Sequence, residues 1–491
     1  MKKFVKIITL LLIISFTFSC EKFLDINHSP NRTEVATVNL VFPSAVTSVC
    51  YVTGGTWFLL GSVWSQHWTS GPNAPQYQSV DNFSITPSDY DSRNWGELYA
   101  GALMDFEWVR KNSEENKNWT YYLMATTMQC YTYQILVDFY DKIPFTEALQ
   151  VTAPHFDDGQ LVYDSLIARL DYALSKDLTE STCQIPGEDD LIYQGNMNNW
   201  IKFANTLKLK IFMRQVYVRT TIAEEGIKKL YTEGAQFLST TASMTEFVNI
   251  EDHQNPIYAT EWFNFGNQNM VASRTLLEYL GTKGISDPRI ANLFTSSSGV
   301  YFGMYQGDFR NEVSKAAQNQ NFSTPIITAT TPVFLMTESE SLFLQAEACL
   351  RTWGTGDTKT LFDAAVKADY LYYGITTDPV PTYNENAPFE MKLENIIVQK
   401  WVAAANKTPI ESFFEHNRTG YPMELNLKAS EDAYIDGNYD GKGYFIVSQT
   451  SVLSPPVLYP KRLLFPSSEK NNNPYYPTVE PVNEPVWWDV Q

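Results

Sequence analysis

The chain has 491 residues and carries 36 Lys and Arg against 55 Asp and Glu, for a net charge of −19. That balance argues against a nucleic-acid binder, because phosphate contacts need clustered positive charge. A hydrophobic fraction of 44% with 14% aromatics argues against disorder and fits one large domain or two to three smaller ones.

The first segment is a signal peptide. Lys2, Lys3 and Lys6 form a positive start, and the apolar run from Ile7 to Ile14 is too short to span a bilayer. Ser15 to Ser19 lead into Cys20, so residues 1–19 read as a cleaved signal and Cys20 as a lipidated first residue. An ordinary secretory signal with a chance cysteine is the alternative. An acylated Cys20 would leave a tethered body with no transmembrane helix.

Residues 20–40 read as a polar tether, and residues 41–491 as one domain. A loop-rich stretch over 54–95 holds Trp57, Trp64, Trp68, Tyr77, Tyr90 and Trp95 among Gly, Pro, Ser and Asn. A helical scaffold follows over roughly 94–250. Trp119, Tyr122, Leu123, Cys130, Tyr133 and Val137 recur at three-to-four spacing, as an amphipathic helix requires. Leu166, Leu170 and Leu174 repeat the pattern over 163–178. Over 196–219, Trp200, Ala204, Leu207, Ile211 and Val218 share one face, while Lys202, Lys208, Lys210, Arg214 and Arg219 point elsewhere. A second loop stretch spans 251–332. Helices resume at about 338–353, 358–372 and 390–405, within a scaffold segment of roughly 335–405. Residues 406–491 read as an irregular C-terminal region rich in Pro, Asn and Tyr. Helix pairs on short links predict a mainly α, tetratricopeptide-like stack with a large loop-rich half. Loops this long inside a compact chain are usually functional.

Four cysteines remain after Cys20: Cys50, Cys130, Cys183 and Cys349. No CxxC occurs, so a thiolate metal site is not expected. Export permits disulfides, but Cys130 and Cys349 sit in apolar helical patterns that predict buried free thiols.

Several segments in a fixed order resemble the SusD/RagB family of nutrient-binding outer-membrane lipoproteins of Bacteroidetes. They begin with Cys20, then Phe23-Leu24-Asp25-Ile26-Asn27 and Pro30-Asn31. Asp138-Phe139-Tyr140-Asp141-Lys142-Ile143-Pro144-Phe145-Thr146-Glu147-Ala148 and the stretch from Asn199 to Lys210 follow. Lys210 stands where the family usually has Arg, which puts one helix-surface pair in question. Later come Asp287-Pro288-Arg289, the run from Glu338 to Arg351, Gln399-Lys400-Trp401, Arg418-Thr419-Gly420-Tyr421-Pro422 and Tyr459-Pro460-Lys461-Arg462. The resemblance implies a SusD-like fold, a cell-surface location at the outer membrane and no catalysis. It also implies capture of oligosaccharide for a SusC-type TonB-dependent transporter. Peptide capture in the manner of RagB is the alternative within the same class.

The aromatic loops supply the candidate binding residues. A sugar ring has an apolar C–H face, which a flat Trp or Tyr covers, and a hydroxyl rim for amides, carboxylates and guanidinium groups. Trp64, Gln66, His67, Trp68, Asn73, Gln76 and Tyr77 form one set. Trp262, Asn264, Asn267, Gln268, Tyr301, Tyr305, Gln306, Asp308 and Arg310 form a second. The expected ligand contacts are Trp68, Trp262, Tyr77, Tyr301 and Tyr305, with Asn73 and Arg310 as polar partners. The competing reading is that these rings pack the loops down. Asn205, on a helix that looks buried, is expected to bond a neighbouring loop backbone.

No cofactor is required by any motif. Asp436, Asn438 and Asp440 match the opening of a calcium loop, but position twelve is Val447 rather than Glu, which excludes an EF-hand. A structural calcium there competes with a plain polar Gly turn. There is no HExxH, GxSxG or P-loop spacing, and His28, His67, His155, His253 and His416 form no metal-like pair. A glycosidase is the remaining enzyme hypothesis, because two carboxylates suffice for it.

Overall fold

The computed structural model describes residues 36–491 except 73, 151, 265–268, 282–283, 311–313, 315–320, 430–440 and 479. The predictions for Cys20, Asn73, Asp436, Asn438 and Asp440 therefore lie outside the described residues.

Helix pairs on short links build the scaffold. Met104–Glu115 packs against Trp119–Tyr140, and Met197–Arg214 against Thr220–Thr232. Glu338–Leu350 packs on Thr358–Tyr372, and Phe389–Ala404 on Pro409–Thr419. Four two-stranded sheets are the only pleated structure among the described residues.

The 119–140 helix is not amphipathic. All 22 of its residues are buried, because Met104–Glu115, Gly159–Leu174 and Met197–Arg214 surround it. Its polar side chains are satisfied internally: Thr127 and Thr132 donate to the carbonyls of Leu123 and Met128, each at 2.8 Å.

The stretch over 54–95 also departs from expectation. Val38–Thr53 and Thr56–Trp64 are core helices hinged at Gly54–Gly55. The apolar stretch Val38–Trp64 has the length and composition of a membrane span, but 78% of its most apolar window is buried in the protein. The C-terminal region is likewise scaffold. Trp488 is buried and donates its indole N–H to Asp138 at 2.8 Å, while Arg462 donates to the carbonyl of Tyr140 at 2.6 Å. Gly159 is required here, since a Cβ would sit 2.1 Å from the Trp487 Nε1.

A buried ion network ties the pairs together. Arg214 donates to Asp138 at 3.2 Å, to Glu411 at 2.7 Å and to Glu415. Lys210 pairs with Glu340 and Glu411; Lys400 lies 3.3 Å from Glu415; Arg418 bonds Glu347 and Glu415. Lys208, Lys210 and Arg214 thus face inward, against the sequence reading. The apolar stripe was real, but the second face of the helix is also covered, so its cations find carboxylates rather than water. Lys210 makes a core pair rather than a helix-surface one. Asn205 does bond a loop backbone, donating to the Gln236 carbonyl at 3.2 Å. Cys50, Cys130, Cys183 and Cys349 are all free; Cys130 is buried and Cys349 half-buried.

The network sets a pH response. Burial pushes the Glu347, Glu411 and Glu415 carboxyls up, but the neighbouring Arg418, Arg214 and lysines outweigh it and hold them low, Glu415 furthest. A carboxyl lowered in the fold stabilises above its ordinary value of 4.5 and loses that contribution as the pH falls below it. Asp138 runs the other way: burial raises it to about 6 despite Arg214, so it favours the fold below its ordinary 3.8 and loses this as pH rises through about 6. The melting midpoint should therefore fall on acidification below about 4.5, and Glu415→Gln should flatten that fall. An unaltered slope in thermal melts from pH 7 to 3 would remove the network from the acid response.

Candidate functional site

The short strand Trp68–Ser70 pairs antiparallel with Met270–Ala272, with Trp68 opposite Ala272 and Ser70 opposite Met270. Gly71 donates to the Asn269 carbonyl at 2.7 Å and extends the ladder. This pairing carries the turn after residue 71 against the segment 255–264, two stretches far apart in sequence.

Asn255 builds that second segment. Its side chain accepts from the Tyr258 N–H at 3.1 Å and donates to the Thr331 carbonyl at 2.9 Å. The helical turn Pro256–Tyr258 then widens into a π-helical turn over Ala259–Asn264, a form that often marks functional sites. Tyr258 and Trp262 stand four apart on it. Their rings are nearly parallel, at 5°, with centroids 6.0 Å apart, and both are half-buried. Beside them, Glu261 is buried and accepts from the Tyr77 hydroxyl and, at 3.3 Å, from the Asn269 amide. Burial raises the Glu261 carboxyl, opposed by those donors, and burial together with Glu261 raises the Tyr77 hydroxyl. The result is a half-open aromatic pair flanked by a hydrogen-bonded carboxylate, phenol and amide. Such a surface can cover an apolar ring face and bond its polar rim.

Two of the expected residues, Tyr77 and Trp262, meet here. Glu261, Tyr258 and Asn269 were missed, although Tyr258, Glu261 and Trp262 fall at i, i+3 and i+4, a helical spacing readable in the sequence.

Trp68 is a correction. It is fully buried, its indole N–H donates to Asn406 at 2.9 Å, and its ring packs on Phe58 at 5.5 Å. It has no face to offer a ligand. Tyr305 is a second correction, at 3% exposure, packed with Ala429 and Ile446 under the Arg274 guanidinium. Tyr301 is half-buried against the main core, and Arg310 is exposed. The polar neighbours of Trp68 are structural as well. Gln66 bonds Ile446, His67 bonds the Trp401 carbonyl, and Gln306 bonds Asp81 at 2.9 Å. Burial holds His67 neutral, lowering it to about 3. Trp95 is packing too: its ring contacts Tyr99, Tyr140 and Phe156, at the edge of an open cleft of about 500 Å³. Among the described residues no three His, Cys, Asp or Glu side chains gather as a metal site.

The chain matches known proteins at the level of family and fold. A family model described as "Starch-binding associating with outer membrane" matches residues 30–439. A SusD homologue from Bacteroides uniformis superposes with a TM-score of 0.76 at 21% identity, over 92% of this chain and 99% of that one. A chitin-binding SusD homologue from Flavobacterium johnsoniae gives 0.75 at 20% identity, over 92% and 98%. A SusD homologue from Bacteroides thetaiotaomicron gives 0.74 at 21% identity, over 93% and 100%. No curated protein matches the chain. The mainly α, tetratricopeptide-like scaffold expected from the sequence is the fold these structures share. With a family model spanning most of its length, the chain belongs to the SusD-like family.

Proposed function

We propose that this protein captures oligosaccharides at the cell surface, anchored to the outer membrane through Cys20, and hands them to a SusC-type TonB-dependent transporter. The observation that carries the reading is the half-buried Tyr258–Trp262 pair beside Glu261, Tyr77 and Asn269. The family description, and the chitin binding of the Flavobacterium johnsoniae homologue, support a glycan over a peptide. The partly exposed Tyr77 hydroxyl and Asn269 amide, held by the buried Glu261, are the polar groups placed to meet ligand hydroxyls.

Calorimetry of the mature protein against malto- and chito-oligosaccharides and against unrelated peptides tests this. At least one oligosaccharide series should bind. A peptide that binds when neither series does would overturn the glycan reading, and reducing-sugar release with turnover would make the protein a glycosidase. Attachment is tested separately. Cys20→Ala should move the protein from the membrane to the soluble fraction, and palmitate labelling of that variant would refute Cys20 as the lipid site.

A further inference from the structure

Another polar cleft shares no lining residue with the Tyr258–Trp262 pair. Its walls are the 389–404 helix, Tyr279 and Ile285, the Val380–Thr382 stretch and Lys442, and its volume is about 230 Å³. Ile285, Phe362 and Val398 give it an apolar floor. Gln399 is already committed within it, donating to the Tyr279 hydroxyl at 2.7 Å and accepting from Arg289 at 2.7 Å.

Three other lining side chains are not committed. Glu394, Asn395 and Lys442 take part in no hydrogen bond or ion pair among the described residues. The Lys442 ammonium lies over the Tyr444 ring, 5.6 Å from the centroid. Glu347, Glu411, Glu415 and Asp369 each face a cation within about 3.6 Å, whereas Glu394 is half-buried with none. Burial accordingly raises its carboxyl. A partly desolvated carboxylate without a partner is unfavourable unless something supplies one.

We propose that this cleft binds a small solute carrying a primary ammonium beside hydrogen-bonding oxygens, with the ammonium on Glu394 and an oxygen on Lys442 and Asn395. The size selects the class. The cleft is below the range of roughly 300–1,000 Å³ typical of drug-sized ligands, so it fits one sugar ring or one amino acid, not an oligosaccharide. Charge selects the ammonium. A net charge of −19 raises the local concentration of cations, and Lys442 disfavours a ligand with no acceptor to meet it. An amino sugar and a free amino acid share this chemistry. The site is separate from the Tyr258–Trp262 pair and does not rest on the glycan reading.

The test uses the mature chain with D-glucosamine, L-serine and N-acetyl-D-glucosamine as probes, followed by calorimetry and ligand-observed NMR. D-glucosamine binding identifies an amino-sugar site and L-serine binding an amino-acid site. Glu394→Gln should weaken the bound probe at least tenfold and Asn395→Ala several-fold, with unchanged melting curves. N-acetyl-D-glucosamine, whose amine is capped, should not compete. Trp262→Ala should leave this binding intact, so failure of the oligosaccharide titrations leaves the cleft standing. The proposal is overturned if neither amine binds at tens of millimolar, if the capped sugar binds equally well, or if both variants bind like the wild type.

Discussion

Arg214→Ala should destabilise the protein by about 3–5 kcal/mol, the effect of removing one partner from a buried ion cluster. The guanidinium is fully buried and serves three carboxylates from two other helices, Asp138, Glu411 and Glu415. Truncation leaves these anions buried with fewer partners. Glu411 keeps Lys210 and Lys400, and Glu415 keeps Lys400 and Arg418. Asp138 would keep only the neutral donors Tyr163, Gln134 and Trp488. The guanidinium also lies 5.3 Å from the centre of the Phe414 ring and 5.2 Å from that of Trp488, contacts that the truncation removes. Arg214→Lys keeps the charge but cannot bond three carboxylates in one plane, so it should fall between wild type and Ala. Urea denaturation of the three proteins measures this. A midpoint for Arg214→Ala equal to wild type would show that the cluster adds nothing to stability.

Trp68→Ala and Trp262→Ala should separate packing from recognition. Trp68 fills a closed site and bonds Asn406, so its truncation should cost about 3–5 kcal/mol and lower the melting midpoint, as large-to-small core changes do. Trp262 is half-buried on a turn held by Asn255 from below, so its truncation should leave the melt unchanged. Losing one stacking face there should weaken oligosaccharide binding by about ten- to a hundredfold, or roughly 1–3 kcal/mol. Weak glycan binders would then drop below detection. Calorimetry beside a melting curve reads both effects. Normal affinity in Trp262→Ala would remove that ring from the site, and a normal melt in Trp68→Ala would contradict its place in the core.

The sequence by itself determined the helical scaffold and the family. Apolar residues at helical spacing mark the 159–174, 197–214, 338–350, 358–372 and 389–404 helices, because burying one face imposes that period on each locally. The ordered segments from Asp138-Phe139-Tyr140 to Arg418-Thr419-Gly420 carry the family because they are structural: Asp138, Arg289 and Arg418 are buried ion-pair residues. Tertiary structure alone decided which faces are covered. Periodicity reports one buried face, and it cannot report that a second layer covers the other, which is why Lys210, Arg214 and the whole 119–140 helix turned out to be core. The same limit divided the tryptophans. Trp68 and Trp262 are alike in sequence, both in polar, aromatic stretches. A three-residue strand pair buries one, while a π-helical turn capped by Asn255 holds the other half-open beside Tyr77. The strand pair and the Tyr77 bond to Glu261 join segments far apart in sequence, and no local pattern encodes them.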